Sequence, residues 1–223
     1  MSTEIRICMV GAGRVAKVHA TSLINHVPGG KLVAMVDPVA DVLTLTANDY
    51  GIEDRFETLE DALNSVDFEA VVITTPTFTH ADLAITAAKA GKHIFLEKPM
   101  ALNLDECDAI IKATDVNQTI LQIGFMRRFD PDFIYASERI SSGEIGQPMI
   151  IKSLTHGPGL PPPWARDIEK SNGNLAEVNS HDWDCVRWLM GSNYERVYVE
   201  VANFKGPSRG ISTENYYDNN LVS

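Results

Sequence analysis

Short apolar runs alternate with amphipathic stretches through the first half of the chain. The runs have the length of strands buried on both faces, and the stretches space apolar residues as one face of a helix does. The predicted strands cover residues 5–10, 32–37, 70–74, 93–96 and 119–123. The predicted helices cover residues 14–26, 39–49, 58–65, 79–90 and 104–116. This alternation predicts an α/β domain with a doubly wound, mostly parallel sheet, whose ligands bind beyond the carboxyl ends of the strands.

The pattern is less regular after the fifth predicted strand. Asp130 is a favourable N-cap and Pro131 a favourable first residue for a helix that Gly143 ends. The remaining predicted elements are a helix within 174–190 and strands at 149–154, 195–203 and 216–222. We therefore expect two domains, residues 1–123 and 124–223.

Three helix ends in the first half carry recognisable capping chemistry. Thr79 precedes Asp82 by three residues, and Asn103 precedes Glu106 by the same spacing, which is that of a capping box. Gly91 stands where a C-terminal glycine belongs. These signals place the ends of the predicted helices.

The overall composition excludes several classes of function. The chain has 223 residues, of which 44% are hydrophobic, and a formal net charge of −11. Nucleic acid and membrane-surface partners are not expected, because binding them needs clustered Lys and Arg. No apolar run approaches the roughly 20 residues that span a bilayer, and the N-terminus lacks a signal-peptide pattern. Cys8, Cys107 and Cys185 are widely spaced and indicate buried thiols in a reducing cytoplasm rather than a disulfide frame or a metal site.

The first predicted strand ends in a glycine turn, Gly11-Ala12-Gly13, and a helix follows at once. A strand, a glycine turn and a helix start are the parts of a dinucleotide-binding site. Gly11 permits the tight turn, and Gly13 lets a pyrophosphate approach the backbone because it has no Cβ. The N–H groups at Arg14 and Val15 then face the phosphates. Glycine turns are common, so this motif alone does not decide the function.

An acid ends the second predicted strand. Asp37 follows Gly13 at about the 20-residue distance at which the dinucleotide fingerprint expects a carboxylate for the ribose hydroxyls. A carboxylate there repels a 2′-phosphate, and neither Lys nor Arg follows it in Pro38–Asp41, so NAD is favoured over NADP. An N-cap or an ordinary turn carboxylate is the other explanation of Asp37.

The strand predicted at 70–74 runs into a threonine-rich turn. Its hydroxyls and rigid bend would lie beside a bound cofactor, which makes Thr75, Pro76, Thr77 and His80 cofactor-binding candidates. A helix-entry turn with Thr79 as cap explains the same residues. A histidine in a first helical turn is also more often a packing residue than a ligand.

Lys98 stands between Glu97 and Pro99 at the carboxyl end of another predicted strand. Pro99 restricts Lys98 to extended conformations and thereby fixes where its side chain points. In a cleft shared with a nicotinamide cation, desolvation and like charge would lower the pKa of the Lys98 ammonium. Such a group exchanges protons near neutral pH. Lys98 is therefore a catalytic, substrate-binding and cofactor-binding candidate, and Glu97 beside it is a cofactor-binding candidate.

These motifs, in this order and spacing, resemble the Gfo/Idh/MocA oxidoreductases, which include inositol, glucose and other polyol or sugar dehydrogenases. The resemblance rests on GAGRVA, the acid-ended second strand, TPTFTH and EKP, and it continues downstream. It implies an NAD-dependent oxidoreductase that transfers a hydride between a polyol or sugar hydroxyl and the nicotinamide.

The resemblance also implies the architecture of the second half. We expect an α+β domain with an open, mainly antiparallel sheet, and a homo-oligomer, a dimer or tetramer, at full length. Because family members are longer, we expect a C-terminally truncated chain whose second sheet is incomplete.

By the same resemblance, the residues after 123 lie near nicotinamide and substrate. Met126 is then a substrate-binding candidate and Arg127 a cofactor-binding candidate. Arg127 is equally well explained as a structural ion-pair partner. His156 ends a predicted strand and begins a Gly- and Pro-rich loop, so it is either a substrate contact or an ordinary surface histidine.

Four residues share one stripe of the helix predicted within 174–190, namely Glu177, His181, Asp184 and Trp188. The family has an acid four residues before a helical histidine, and this pair completes its catalytic set with the EKP lysine. The resemblance therefore implies that Glu177 and His181 act with Lys98 and bind substrate. Glu177 stands where the family more often has Asp, and Asn179 where it usually has Gly. Glu177 also fits a capping box that begins at Asn174.

Two other functions remain open from the sequence. Some relatives use tightly held NAD to cleave glycosidic bonds, and some proteins of this fold sense NAD without catalysis. A glycosidase would turn over with no net release of NADH. A pure sensor would need neither Lys98 nor His181.

Overall fold

Six parallel strands form one sheet in the first part of the chain, as the computed structural model shows. They are β1 (Ile5–Val10), β2 (Gly30–Val36), β3 (Asp54–Phe56), β4 (Ala70–Ile73), β5 (His93–Glu97) and β6 (Leu121–Gly124). Their order across the sheet is β3-β2-β1-β4-β5-β6, which is that of a dinucleotide-binding domain. The structure describes residues 4–155, 159–211 and 216–222. The chain divides into two units, Met1–Gly124 and Phe125–Ser223.

Helices cover both faces of this sheet. They are α1 (Arg14–His26), α2 (Ala40–Tyr50), α3 (Leu59–Ser65), α4 (His80–Lys89) and α5 (Leu104–Val116). On one face, Met9 and Met35 pack with apolar residues of α1 and α2. On the other face, Val10, Ile73 and Leu96 pack with residues of α3, α4 and α5. The predicted doubly wound parallel sheet is therefore confirmed.

The strands differ from the predicted bounds by one or two residues at several ends, and one strand is additional. β3 was not predicted, because three residues are too few for a periodic signal. β6 starts at Leu121 rather than at residue 119. Gln118 has a positive φ of 55°, and the Thr119 N–H still donates to the Thr114 carbonyl at the end of α5 (3.0 Å), so the strand cannot begin there.

The predicted caps have mixed outcomes. The Asn103 side chain accepts from the Glu106 N–H (2.9 Å), which confirms that cap. The capping box at Thr79 is wrong, because a 3₁₀ turn, Thr77–Thr79, precedes α4. The Thr79 hydroxyl donates to the Pro76 carbonyl (2.8 Å) and lies within hydrogen-bond distance of Thr75 Oγ1 (2.7 Å). Local hydrogen bonds of this kind compete with capping.

The second unit combines helices with a small antiparallel sheet. Its regular elements are α6 (Pro131–Ser141), α7 (Ile168–Ser171), α8 (Gly173–Glu177), α9 (Ser180–Met190), β7 (Val199–Ala202) and β8 (Asn219–Val222). As predicted, Asp130 caps α6 and accepts from the Asp132 N–H (2.9 Å). β7 and β8 pair antiparallel, which confirms an α+β unit with an antiparallel sheet.

The strand predicted at 149–154 is wrong. Its apolar residues suit a strand, but no described segment pairs with them, and a strand exists only with a hydrogen-bonding partner. β7 and β8 are likewise shorter than the predicted 195–203 and 216–222, because pairing covers four residues of each. Within the described ranges, no helix is long and apolar enough to cross a membrane.

Candidate active site

Four of the predicted motifs leave the same edge of the first sheet. The glycine turn follows β1, Asp37 follows β2, the threonine turn follows β4, and Lys98 follows β5. The strands are parallel and end in register, since Val10 pairs with both Val36 and Ile73, and Ile73 pairs with Leu96. The fold thus gathers motifs that are far apart in sequence at the carboxyl edge of the sheet, where such domains bind ligands.

The glycine turn is held tightly against its neighbouring strands. Gly11 has a φ of +99°, and its N–H donates to the Val36 carbonyl (2.7 Å). A Cβ atom at Gly11 would lie 2.8 Å from Thr74 Oγ1. The Thr74 hydroxyl in turn donates to the Val10 carbonyl (3.2 Å). Gly11 is therefore required by both backbone conformation and space.

Asp37 has a structural role in this turn. Its Oδ2 accepts from the Ala12 N–H (2.8 Å), and its Oδ1 accepts from the Val39 N–H (2.9 Å). The buried Thr46 hydroxyl donates to the Ala12 carbonyl (2.8 Å). A carboxylate has about four acceptor sites, so Asp37 can hold the turn and still accept from ribose hydroxyls. Sequence reasoning missed Thr46, which lies on α2 with no motif around it.

The start of α1 fits a pyrophosphate. Gly13 is exposed, and a Cβ atom there would meet no described atom within 4 Å. α1 begins at Arg14, and the first N–H groups of a helix have no acceptor within it. These donors and the positive dipole end at Arg14 and Val15 favour an anion. The residues present therefore fit a dinucleotide at this position.

His80 directly follows the threonine turn and is buried, with only 1% of its surface exposed. Its Nδ1 lies 2.8 Å from the Pro99 carbonyl oxygen, and its Nε2 lies 2.9 Å from the Thr75 carbonyl oxygen. Burial lowers the pKa of the His80 imidazole, against these carbonyl contacts, which favour the charged ring. Thr77 is also buried. This placement favours packing over direct ligand contact as the explanation of His80.

Glu97 contacts His19, a histidine that sequence reasoning missed. Glu97 Oε1 lies 2.7 Å from His19 Nε2, and Glu97 Oε2 accepts from the Lys98 N–H (3.2 Å). His19 belongs to α1 and packs edge-on against Phe95 (5.1 Å between ring centroids). Lys98 itself is half-buried, and the Lys98–Pro99 peptide bond is cis. The backbone that carries the Lys98 ammonium is thus anchored to a helix.

Arg127 belongs to a polar cluster of the second unit. Its guanidinium donates to Asp182 Oδ1 (2.7 Å) and to Thr155 Oγ1 (3.2 Å). Asp182 is 8% exposed and also accepts from the hydroxyls of Ser153 and Thr155. Burial opposes the ionised carboxylate, but these donors outweigh burial and lower the pKa of Asp182. These contacts favour the ion-pair explanation of Arg127. Met126, in the same 3₁₀ turn, is 63% exposed.

The predicted single helix through 174–190 is wrong, because it breaks into α8 and α9. In a continuous helix the Leu175 carbonyl would accept from the Asn179 N–H. Here the Asn179 N–H donates to the Asn174 carbonyl (3.1 Å), and the Trp183 indole N–H donates to the Leu175 carbonyl (3.1 Å). Glu177 therefore ends one helix, and His181 lies in the first turn of the next.

The break corrects two further expectations. The shared stripe does not extend from Glu177 to His181, since no continuous helix joins them. The capping box at Asn174 is also wrong, because α8 begins at Gly173 and Asn174 lies inside it. Asn179 joins the start of α9 to β8, since it donates to Asp182 Oδ2 (3.1 Å) and accepts from the Asn220 side chain (3.0 Å). The glycine usual in the family has no side chain for these contacts.

His156, the predicted substrate contact, lies outside the described residues. Among the residues that the structure describes, no group of three or more His, Cys, Asp or Glu is arranged to hold a metal ion.

Cys8 is buried, which raises the pKa of its thiol to about 12 and makes it a poor nucleophile.

The strand order, the glycine turn and the acid at the end of β2 define a dinucleotide-binding domain of the Rossmann type. The chain belongs to the Gfo/Idh/MocA family. Residues 5–125 match the oxidoreductase family with an NAD-binding Rossmann fold, and residues 133–219 match the GFO/IDH/MocA C-terminal domain. Fold class and family are therefore as the motifs predicted.

Inositol dehydrogenases are among the similar proteins. The chain is 40% identical to a scyllo-inositol 2-dehydrogenase (NAD(+)) of Bacillus subtilis over 88% of this chain and 57% of that protein. It is 37% identical to an inositol 2-dehydrogenase of Rhizobium meliloti over 89% of this chain and 58% of that protein. A scyllo-inositol dehydrogenase structure from Lactobacillus casei with bound NAD(H) and scyllo-inositol has a TM-score of 0.79 and 25% identity, over 99% of this chain and 65% of that one. This chain thus spans less than two thirds of the length of each.

Proposed function

We propose that this chain belongs to an NAD-dependent oxidoreductase that transfers a hydride between a polyol or sugar hydroxyl and the nicotinamide. The observation that carries the proposal is that the glycine turn, Asp37 and Lys98 leave one edge of a parallel sheet. An anion-binding helix start, a ribose-binding acid and an ammonium group are what such a reaction needs. An inositol is the first substrate class to test, because similar proteins are named for inositol oxidation.

The residues of the chain divide the work as follows. The turn at Gly11–Gly13 and the first N–H groups of α1 hold the pyrophosphate, and Asp37 holds the adenosine ribose. NAD supplies the hydride acceptor when it is bound. Lys98 donates a hydrogen bond to the reacting hydroxyl oxygen and stabilises negative charge as the carbonyl forms. Within the second unit, His181 is the candidate acid–base group for a hydroxyl proton, and Glu177 is a candidate for orienting the substrate.

The balance of this reaction sets what each group must do. The carbon loses a hydride and the oxygen loses a proton, so the products are a carbonyl compound, NADH and one proton. Carbonyl reduction uses the same groups in reverse. In that direction an acid–base group returns the proton to the oxygen.

A substrate screen tests this proposal. Inositols, other polyols, sugars and glycosides are each incubated with NAD or NADP, and NADH absorbance and product are followed together. We expect NADH and a keto product in equal amounts from at least one polyol or sugar. Glycoside cleavage with no net NADH would favour the glycosidase alternative. NAD binding without turnover of any compound would favour the sensor.

Asp37 provides a separate test of the cofactor assignment. We expect Asp37→Asn to raise the Kd for NAD about tenfold, equivalent to about 1.4 kcal/mol, and to narrow the preference over NADP. The amide oxygen of Asn can still accept from the Ala12 N–H, whereas the charge and the second acceptor, which serves the Val39 N–H, are lost. Titration by fluorescence with NADH and NADPH measures both constants.

Asp37→Ala is the matched comparison, because it removes both the charge and the acceptor for the Ala12 N–H. Both variants should lower NADH affinity, and Asp37→Ala should lower thermal stability more than Asp37→Asn, which keeps one acceptor for the turn. The same ratio of NADPH to NADH affinity in wild type and Asp37→Asn would refute a ribose-facing role for this carboxylate.

A further inference from the structure

His80 connects the two loops that follow β4 and β5. Its ring nitrogens contact the Thr75 carbonyl in one loop (2.9 Å) and the Pro99 carbonyl in the other (2.8 Å). A carbonyl oxygen only accepts, so the ring donates to one of them when neutral and to both when protonated. Because the side chain is almost fully buried, water cannot readily replace it. The protonated ring therefore bonds to both of two segments that are separated by a whole helix and a strand, and the neutral ring bonds to one of them and packs against the other.

Lys98 lies between two anchors. On its amino side, the Glu97 carboxylate contacts His19 of α1 (2.7 Å) and accepts from the Lys98 N–H. On its carboxyl side, the Pro99 carbonyl contacts His80 of α4. A lysine side chain is long and flexible, so the position of its ammonium also depends on how firmly its backbone is held. Each side of Lys98 is thus fixed to a different helix through a histidine.

We propose that His80 is a positioning residue for Lys98. Its imidazole holds the Pro99 carbonyl against the Thr75 loop, and so fixes the backbone from which the Lys98 ammonium reaches the reacting hydroxyl. The burial of His80 leaves little of its surface open to substrate or cofactor. The inference rests on the proposed function, because it assigns Lys98 a role in the reaction.

Three variants separate this role from a general contribution to folding. His80→Leu removes both ring nitrogens at similar size. His80→Gln keeps an amide NH₂ group, which offers two donors for two carbonyls. His93→Leu is the control, because His93 lies at the opposite end of β5, where its Nδ1 accepts from the Ile120 N–H (3.1 Å). The full chain is used throughout, and a thermal melt checks that each variant folds.

Hydrogen exchange without cofactor or substrate measures the link directly. We expect peptides that cover residues 74–79 and 97–102 to exchange faster in His80→Leu than in wild type, because local opening becomes easier. His80→Gln should fall between the two, and His93→Leu should leave both segments unchanged. Unchanged exchange in these segments in His80→Leu would overturn the proposal, whatever the activity. If His80→Leu does not fold, His80→Gln carries the comparison, with the same direction expected.

Kinetics then test whether the link acts through Lys98. A displacement of about 1 Å at a reacting group costs about 10²-fold in rate, so we expect a fall in kcat of that order for His80→Leu. In a Lys98→Met background, the same substitution should lower kcat no further. Losses that multiply in the double variant, or a normal kcat despite faster exchange, would overturn the proposal. A wild-type protein that oxidises no substrate would instead refute the proposed function, while hydrogen exchange would still decide whether His80 links the loops.

Discussion

Lys98→Met is expected to lower kcat by about 10²- to 10⁴-fold, the range for loss of an acid–base group, with little change in the Kd for NAD. Methionine keeps an unbranched chain of similar size but has no ammonium. It therefore removes the hydrogen bond to the reacting oxygen and the charge that stabilises it. The turn that we propose binds the pyrophosphate follows a different strand, so cofactor affinity should persist. Steady-state kinetics with the substrate found in the screen, together with NADH titration, measure both.

Lys98→Arg distinguishes two ways in which the ammonium could act. Arginine keeps a positive charge but cannot lose its proton in this pH range. A variant with substantial activity indicates that Lys98 works by electrostatic stabilisation and that another group accepts the proton. A variant as slow as Lys98→Met indicates that proton exchange at Lys98 is required. Turnover of Lys98→Met at the wild-type rate would remove Lys98 from the mechanism.

The first unit is predictable because its elements leave strong local signals. Buried parallel strands such as β1 and β4 are nearly continuous apolar runs, and amphipathic helices separate them. Strand ends in such a sheet share one edge, so the motifs after them converge without any further information. The failures are local as well. β3 is too short for a pattern, and a 3₁₀ turn displaces the cap expected at Thr79.

The second unit is less predictable because distant contacts decide its local structure. The spacing of polar residues through 174–190 is that of one helix, and nothing local contradicts it. The Trp183 indole N–H nevertheless donates to the Leu175 carbonyl, and the Tyr217 hydroxyl accepts from the Leu175 N–H (3.1 Å). Tyr217 lies more than 40 residues further on, so no local pattern contains this contact. Tertiary contacts here override helical spacing.

The same reason explains the site residues that the sequence did not indicate. His19, Thr46 and Thr74 each support a predicted motif, but their partners are distant in the chain. His19 pairs with Glu97, 78 residues away, and no spacing rule connects an α1 histidine to an acid on β5. Motifs therefore predict which groups face a ligand, whereas the residues that hold those groups appear only in the fold.

Gly13→Ala and Gly11→Ala are expected to separate cofactor binding from folding within one turn. Gly13 has a φ of −75°, and a Cβ atom there meets nothing within 4 Å, so Gly13→Ala should unfold at the wild-type denaturant concentration. The added methyl group would stand where the pyrophosphate approaches the backbone. Losing hydrogen bonds to a charged group costs about 1.5–3 kcal/mol, so the Kd for NAD should rise about 10- to 100-fold.

Gly11→Ala should instead lower the stability of the fold. Its backbone has a φ of +99°, and the new Cβ would lie 2.8 Å from Thr74 Oγ1, so we expect the free energy of unfolding to fall by about 1–3 kcal/mol. Denaturant unfolding and NADH titration of both variants give the two quantities. If Gly13→Ala unfolds at the wild-type denaturant concentration, its loss of NAD affinity cannot come from a damaged sheet. Wild-type NAD affinity in Gly13→Ala would show that the pyrophosphate does not lie against this residue.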